Sequence, residues 1–291
     1  MKLEKEIDII GYLTKNATDK FGRVLLTKGM PLNVLLKEKL EGLHICCEYT
    51  PVEKKKSAVL LPPKLSAKKL FKNQKNIFKV PDTLDPKFDS LKSEIVSAAS
   101  DYLQNTLSTI RKDNFFSNSL KTLSSNNMTL SHSINVAILS LSFGSLLNYD
   151  QQQLQDLSIA ALFHDIGAIL LPPEILKSVS RIDDQQELLY RQHPRLGSDL
   201  LKGDKLPKEI YIPILQHHEK FDGRGYPAGL KENEITKNAS IINICDTFDY
   251  LTTSIYQSNV RPPKEAVERI KFSSGKDFNP QIVDTFINLF K

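Results

Sequence analysis

The chain has little of what an exported or membrane-embedded protein requires. Its 291 residues include only three cysteines, Cys46, Cys47 and Cys245. Two adjacent thiols make a poor staple, and a chain of this size does not need one. No apolar run reaches the roughly eighteen residues that mark a membrane span. The N-terminal MKLEKEIDII also lacks the basic, apolar and small-residue series of an export signal. These absences point to a reducing cytoplasm and exclude membrane insertion from the expectation. Strand signals nearly vanish beyond about residue 82. Histidine is scarce as well, at six residues, and five of those fall in one connected series.

The net charge of +5 is mild but unevenly placed. Lys54, Lys55, Lys56, Lys64, Lys68, Lys69, Lys72 and Lys75 crowd one segment that also carries Pro51, Pro62 and Pro63. No aromatic residue is interleaved before Phe71, so a solvated linker fits this stretch better than a nucleic-acid arm, and DNA is not an expected partner.

Length favours one larger domain with a smaller companion. Residues 1–50 alternate short apolar runs (IDIIGYL, NATDKFGRVLL, TKGMPL) with turn signals, and Leu32 to Leu43 has helical spacing. A small strand-rich regulatory or interaction domain is expected at 1–50, a Lys/Pro-rich linker at 51–81, and a helical domain at 82–291. The fold class is thus mainly α. Helices are expected at Leu84–Arg111, Ser131–Leu147, Gln151–His164, Asp184–Leu201, Pro207–His217, Ile235–Leu251, Pro263–Lys271 and Pro280–Phe290. Pro172-Pro173 and the glycine-rich FDGRGYPAGL break the series.

The histidine series runs His132, the His164-Asp165 pair, His193 and the tandem His217-His218, followed by Asp246 in the apolar stretch IINICDTF. Borderline divalent metals favour imidazole with carboxylate, and a helical bundle builds such a site by contributing one or two ligands from each of several helices. His132 opens one expected helix. His164 and Asp165 close the next near Gly167, where adjacent side chains can converge although mid-helix neighbours diverge by about 100°. Asp165, with two carboxylate oxygens, suits a shared position between two cations. A dipeptide such as HD or HH means little alone, and a lone His132 or His193 could be a capping histidine. Together they form the ligand inventory of a two-metal hydrolytic site. Asp246 strengthens it, because an unpaired carboxylate buried among apolar residues is costly.

The order H…HD…H…HH…D, with HDIG at 164–167 and HHEKFDGRGYP at 217–227, resembles the HD-GYP family of metal-dependent phosphohydrolases. The likeness spans His132 to Phe290, and GRVLLTKGMPLNVLLKEKLEGL resembles a small domain that often precedes such modules. The resemblance implies a helical bundle that hydrolyses cyclic di-GMP to pGpG or GMP in bacterial signalling, with iron or manganese in the site. It implies one metal on His132, His164, Asp165 and Asp246, and a second on Asp165, His193, His217 and His218. A bridging hydroxide would then be the nucleophile, with Asp165 the catalytic bridge. Some members add a third metal through a Glu four residues before the first His, but Met128 stands here, so two are expected.

Gly223, Gly225, Tyr226 and Pro227 make the GYP segment, either as a tight loop alone or with Tyr226 walling a substrate pocket. Glu219 could orient a ligand histidine or form a surface salt bridge. Three phosphate contacts of the family pattern are replaced, by Ala168, Ile255 and Ser258. Arg224, inside the GYP loop, is the favoured substitute, ahead of Arg261, Arg195 and Lys220. Two readings follow: an active cyclic-dinucleotide phosphodiesterase, or a metal-bearing module that senses the dinucleotide or docks signalling proteins through its N-terminal domain or GYP loop. Another HD-type phosphohydrolase acting on a nucleotide monoester or triphosphate is a third, against which the GYP segment argues. Oligomeric state is not legible.

Overall fold

The stretch from His132 to Phe143, buried at every residue, becomes the centre of the helical bundle. The computed structural model describes residues 9–18, 24–26, 28–29, 31–33, 37, 47–51, 80–110, 116, 120, 127–171, 184–202, 206–253 and 260–290. Nearly all of the proposed linker, His44, Pro172-Pro173, Ile255 and Ser258 lie outside them.

Helix α2 (Asn127–Leu146) is buried on every side from His132 to Phe143, as a helix without a polar face must be. Around it pack α1 (Ser93–Ile110), α3 (Gln151–Leu162) and α7 (Lys237–Thr252). Helix α6 (Lys208–Gln216) lies against α3, α7 and α5 (His193–Lys202). Helices α8 (Pro263–Phe272) and α9 (Pro280–Ile287) close the other flank against α7, and α4 (Asp184–Tyr190) precedes α5. Stacked and edge-on rings of Phe143, Phe248, Phe286 and Phe290 join α2, α7 and α9. The ends are set locally. Asp150 and Gln153 form a reciprocal capping box at α3, Asn279 caps α9, and prolines open α8 and α9.

Near the N-terminus, strands β1 (Ile9–Leu13), β2 (Ala17–Thr18), β3 (Val24–Leu26), β4 (Pro31–Asn33) and β5 (Tyr49–Pro51) form two small antiparallel sheets, ordered β4-β1-β5 and β2-β3. Gly11 pairs with Leu32 on one side and with Pro51 on the other. Their buried residues Leu13, Ala17, Leu26 and Leu32 share one apolar cluster with Leu171 and with Leu196 of α5. The class is mainly α, as the sequence implies.

Several local expectations need correction. Leu32 does not start a helix: Pro31–Asn33 pairs with β1, and all but residue 37 of the rest of that segment lies outside the described residues. His132 does not open its helix but sits in the second turn of α2. The helix expected over Asp184–Leu201 is two helices, broken at Arg191-Gln192. Pro194 is the cause. A proline inside a continuous helix would lack its N–H and clash with the carbonyl four residues back, that of Tyr190, whereas it is tolerated in a helix's first turn. His164 and Asp165 lie beyond the end of α3, in the turn leading to a 3-10 segment at Ile166–Leu170.

Candidate metal centre

Three of the histidines are anchored in the same way. The last carbonyls of a helix have no partner within it, and each of these rings takes one. His164 Nδ1–H donates to Ala161 O at 2.8 Å, His193 Nδ1–H to Tyr190 O at 2.7 Å, and His217 Nδ1–H to Ile214 O at 2.7 Å. A carbonyl only accepts, so Nδ1 carries the proton and, in the neutral ring, Nε2 is left with a lone pair. For His193 the acceptor is the carbonyl that Pro194 deprived of its helical donor.

All the Nε2 atoms then converge. His132 and His164 face each other at 3.2 Å, His193 and His217 at 3.3 Å, and His218 and His193 at 3.2 Å. Lone pairs cannot be held that close without a cation or proton between them. Asp165 lies between the two groups. One oxygen is 3.1 Å from His193 Nε2 and 3.6 Å from His217 Nε2, and the other is 3.5 Å from His164 and 3.8 Å from His132. Asp246 Oδ1 reaches to 3.2 Å from His132 Nε2. The two clusters, His132-His164-Asp165 and Asp165-His193-His217-His218, could each hold a metal ion, with Asp165 common to both. This donor set of imidazole and carboxylate suits borderline divalent metals.

Electrostatics divides the site. Burial pushes His218 well below the ordinary imidazole range and lowers His217. Burial would lower His132 too, but Asp246 and Asp249 outweigh it and hold that ring well above its usual value. Burial would raise the Asp165 carboxyl, yet His164, with hydrogen bonds from His193 and His217, keeps it well below the carboxylate range.

The centre lies at the base of an open cleft of about 420 Å³, into which His132, Asp165, His218 and Asp246 face. Tyr190, Tyr226 and Tyr250 wall it, and Lys220 and Arg269 bring positive charge. Tyr226 packs on His218, ring centroids 4.8 Å apart, and carries the Arg191 guanidinium over its ring. Of the GYP residues, Tyr226 alone lines the cleft. Gly225 is where the loop crosses its own start, since a side chain there would collide with Lys220 N and Glu219 Cα.

Two sequence expectations change. Arg224 does not point at the cleft: its side chain is 72% exposed and pairs with Asp222. Glu219 touches neither a ligand histidine nor a surface cation. It is buried, and its carboxylate accepts from the backbone N–H groups of Ala228 (2.6 Å) and Leu230 (3.0 Å), tying down the GYP loop. Ala168 is buried and does not line the cleft. Of the substitute cations considered, Lys220 reaches the cleft and is 2.9 Å from Asp277.

Sequence reasoning missed Arg269, Lys87 and Asp249. Asp249 Oδ2 accepts from His132 Nδ1 at 2.7 Å, and Lys87 Nζ donates to Asp249 Oδ1 at 2.6 Å. The available signal was that Asp249 lies one turn after Asp246 on the same helix, so both carboxylates share a face.

A family model described as an HD domain matches residues 105–282. A cyclic di-GMP phosphodiesterase of Thermotoga maritima is 35% identical over 138 residues, covering 47% of this chain and 38% of that one. A cyclic di-GMP phosphodiesterase of Pseudomonas aeruginosa is 28% identical over 181 residues, covering 62% and 44%. A 3'3'-cGAMP-specific phosphodiesterase of Vibrio cholerae is 29% identical over 133 residues, covering 44% and 25%. The chain therefore spans less than half the length of these curated relatives.

Proposed function

The chain belongs to the HD domain family, and from that premise we propose that it is a metal-dependent phosphodiesterase of bacterial second-messenger signalling that hydrolyses cyclic di-GMP to pGpG and/or GMP. The observation that carries this reading is the position of Asp165, with one oxygen toward each histidine cluster. On this reading His132, His164, Asp165 and Asp246 hold one divalent ion, and Asp165, His193, His217 and His218 the other, iron or manganese. Two ions held there would polarise phosphodiester oxygens and lower the pKa of a bound water. The protein's own part is to orient its donors through the carbonyl anchors, to offer tyrosine faces to the nucleobases, and to place Lys220 and Arg269 near phosphate. Relatives named for cyclic di-GMP and for 3'3'-cGAMP support the substrate class. The division into 1–50, 51–81 and 82–291, a cytoplasmic location, and signalling partners at the N-terminal strands or GYP loop belong to the same proposal.

The test is to count metals in protein purified without chelators, then to follow cyclic di-GMP with manganese or reduced iron by chromatography. Two ions with pGpG or GMP appearing, both lost in Asp165→Ala, is the expected result. Full metal occupancy in Asp165→Ala would refute the shared role. A second reading, a sensing or docking module without turnover, is favoured by one feature: Ala168 is buried away from the cleft while Arg224 turns to solvent. Two ions with no product would select it.

A further inference from the structure

Behind His132, on the side away from the cleft, lies a buried chain of charges. Lys87 sits in a 3-10 turn at Pro86–Ser90, with its side chain 2% exposed. Its Nζ donates to Asp249 Oδ1 at 2.6 Å and Thr253 Oγ1 at 3.2 Å, and lies 3.3 Å from Asp85. The other oxygen of the fully buried Asp249 faces His132 Nδ1 at 2.7 Å. We propose that Lys87 is a positioning residue of the metal centre, whose ammonium dictates which atom of residue 249 faces His132 and thereby sets the tautomer of that ring.

An ammonium group has donors only, so whatever atom of residue 249 touches it must accept. With aspartate both ends accept, and His132 answers by carrying its proton on Nδ1. Its Nε2 is then the atom left to present a lone pair to a cation held between it, His164 and Asp246, the orientation a ligand needs. Where His164, His193 and His217 turn Nδ1 to a helix-end carbonyl, His132, in the second turn of α2, turns Nδ1 to Asp249. The Lys87-Asp249 pair does for it what those carbonyls do for the others. The inference rests on the metal-centre reading above, but it can be tested apart from it.

Asp249→Asn in the full chain keeps shape and leaves Asp85 as counter-ion for Lys87. The ammonium claims the amide oxygen, so the NH2 group faces Nδ1 and the ring proton moves to Nε2. Adding Lys87→Met lets the amide turn over, and the proton returns to Nδ1. Nitrogen-15 NMR of His132 reads this directly in metal-free chains that all carry Asp246→Ala, which removes the carboxylate competing for the proton at Nε2, at alkaline pH where the ring is neutral. The expected series is Nδ1–H in that parent, Nε2–H with Asp249→Asn added and Nδ1–H with Lys87→Met added as well. Mn²⁺ binding at the His132 half should weaken by about ten- to a hundredfold in the single variant and recover in the double, with the His193 half unchanged. An Asp249→Asn ring that stays protonated on Nδ1, or a double variant that matches the single, overturns the proposal. If the double variant fails to fold, the single one still decides by its tautomer. A wild-type chain that takes up no Mn²⁺ refutes the metal reading alone, since the tautomer series is recorded without metal.

Discussion

At the scale of single residues, four of the candidate ligand rings and the GYP loop are held by buried hydrogen bonds, and Glu219 is the clearest case. Its two oxygens accept from Ala228 and Leu230, just after Tyr226 in the loop that packs this tyrosine on His218. In Glu219→Gln one amide end still accepts, but the other presents N–H to a backbone N–H. A buried donor left unmet costs about 1 to 3 kcal/mol. The variant should therefore lose about that much stability and exchange amide hydrogen faster at Ala228 and Leu230. Unchanged protection there would reduce Glu219 to a space-filling role. The seven candidate ligands were legible because residue identity itself is the signal: few forces other than metal binding gather five histidines. Lys87 and Asp249 were not legible as a pair, since they meet across 162 residues of sequence and no local period links them.

Among elements, what the sequence concealed was where helices stop. Periodicity runs through Arg191-Gln192 without a break, yet Pro194 ends α4, and the carbonyl it strands orients His193. Helix ends, rather than helix faces, supply three of the ring anchors. The same logic explains Gly167. The 3-10 turn that follows Asp165 lies so close to α5 that a Cβ on Gly167 would run into the His193 carbonyl oxygen and Gly197 N. Both contacts are backbone and cannot swing aside, so Gly167→Ala must force the turn and the helix apart. Overpacking of this kind costs about 1 to 3 kcal/mol. It also acts along the line joining Asp165 to His193, whose ligand atoms are 3.1 Å apart. A lowered Tm together with weaker Mn²⁺ binding at the His193 half is expected. A lower Tm with both ions bound as tightly as before would mean that the turn and α5 do not set the Asp165-His193 spacing.

For the molecule as a whole, the mainly helical class and the strands near the N-terminus follow from the change in hydrophobic period, but their relation does not. A two-residue period says that a strand buries one face without saying against what. Here the covering surface belongs partly to α5, the helix that carries the candidate ligand His193. Leu32 of β4 is fully buried in the cluster that includes Leu171, which follows the Ile166–Leu170 turn, and Leu196 of α5, three residues from His193. Truncating such a leucine removes burial and leaves a cavity, for about 2 to 5 kcal/mol, at a point where the strands and α5 share one apolar cluster. Leu32→Ala should therefore loosen not only the strands but α5 beneath them. Hydrogen exchange is expected to rise across residues 193–202 and to stay unchanged in α8 and α9, which share no part of this cluster. Strand perturbation would then reach His193 through packing alone, giving the N-terminal strands a physical route to the metal centre. Exchange that rises only in the strands would show that the shared cluster transmits nothing to α5.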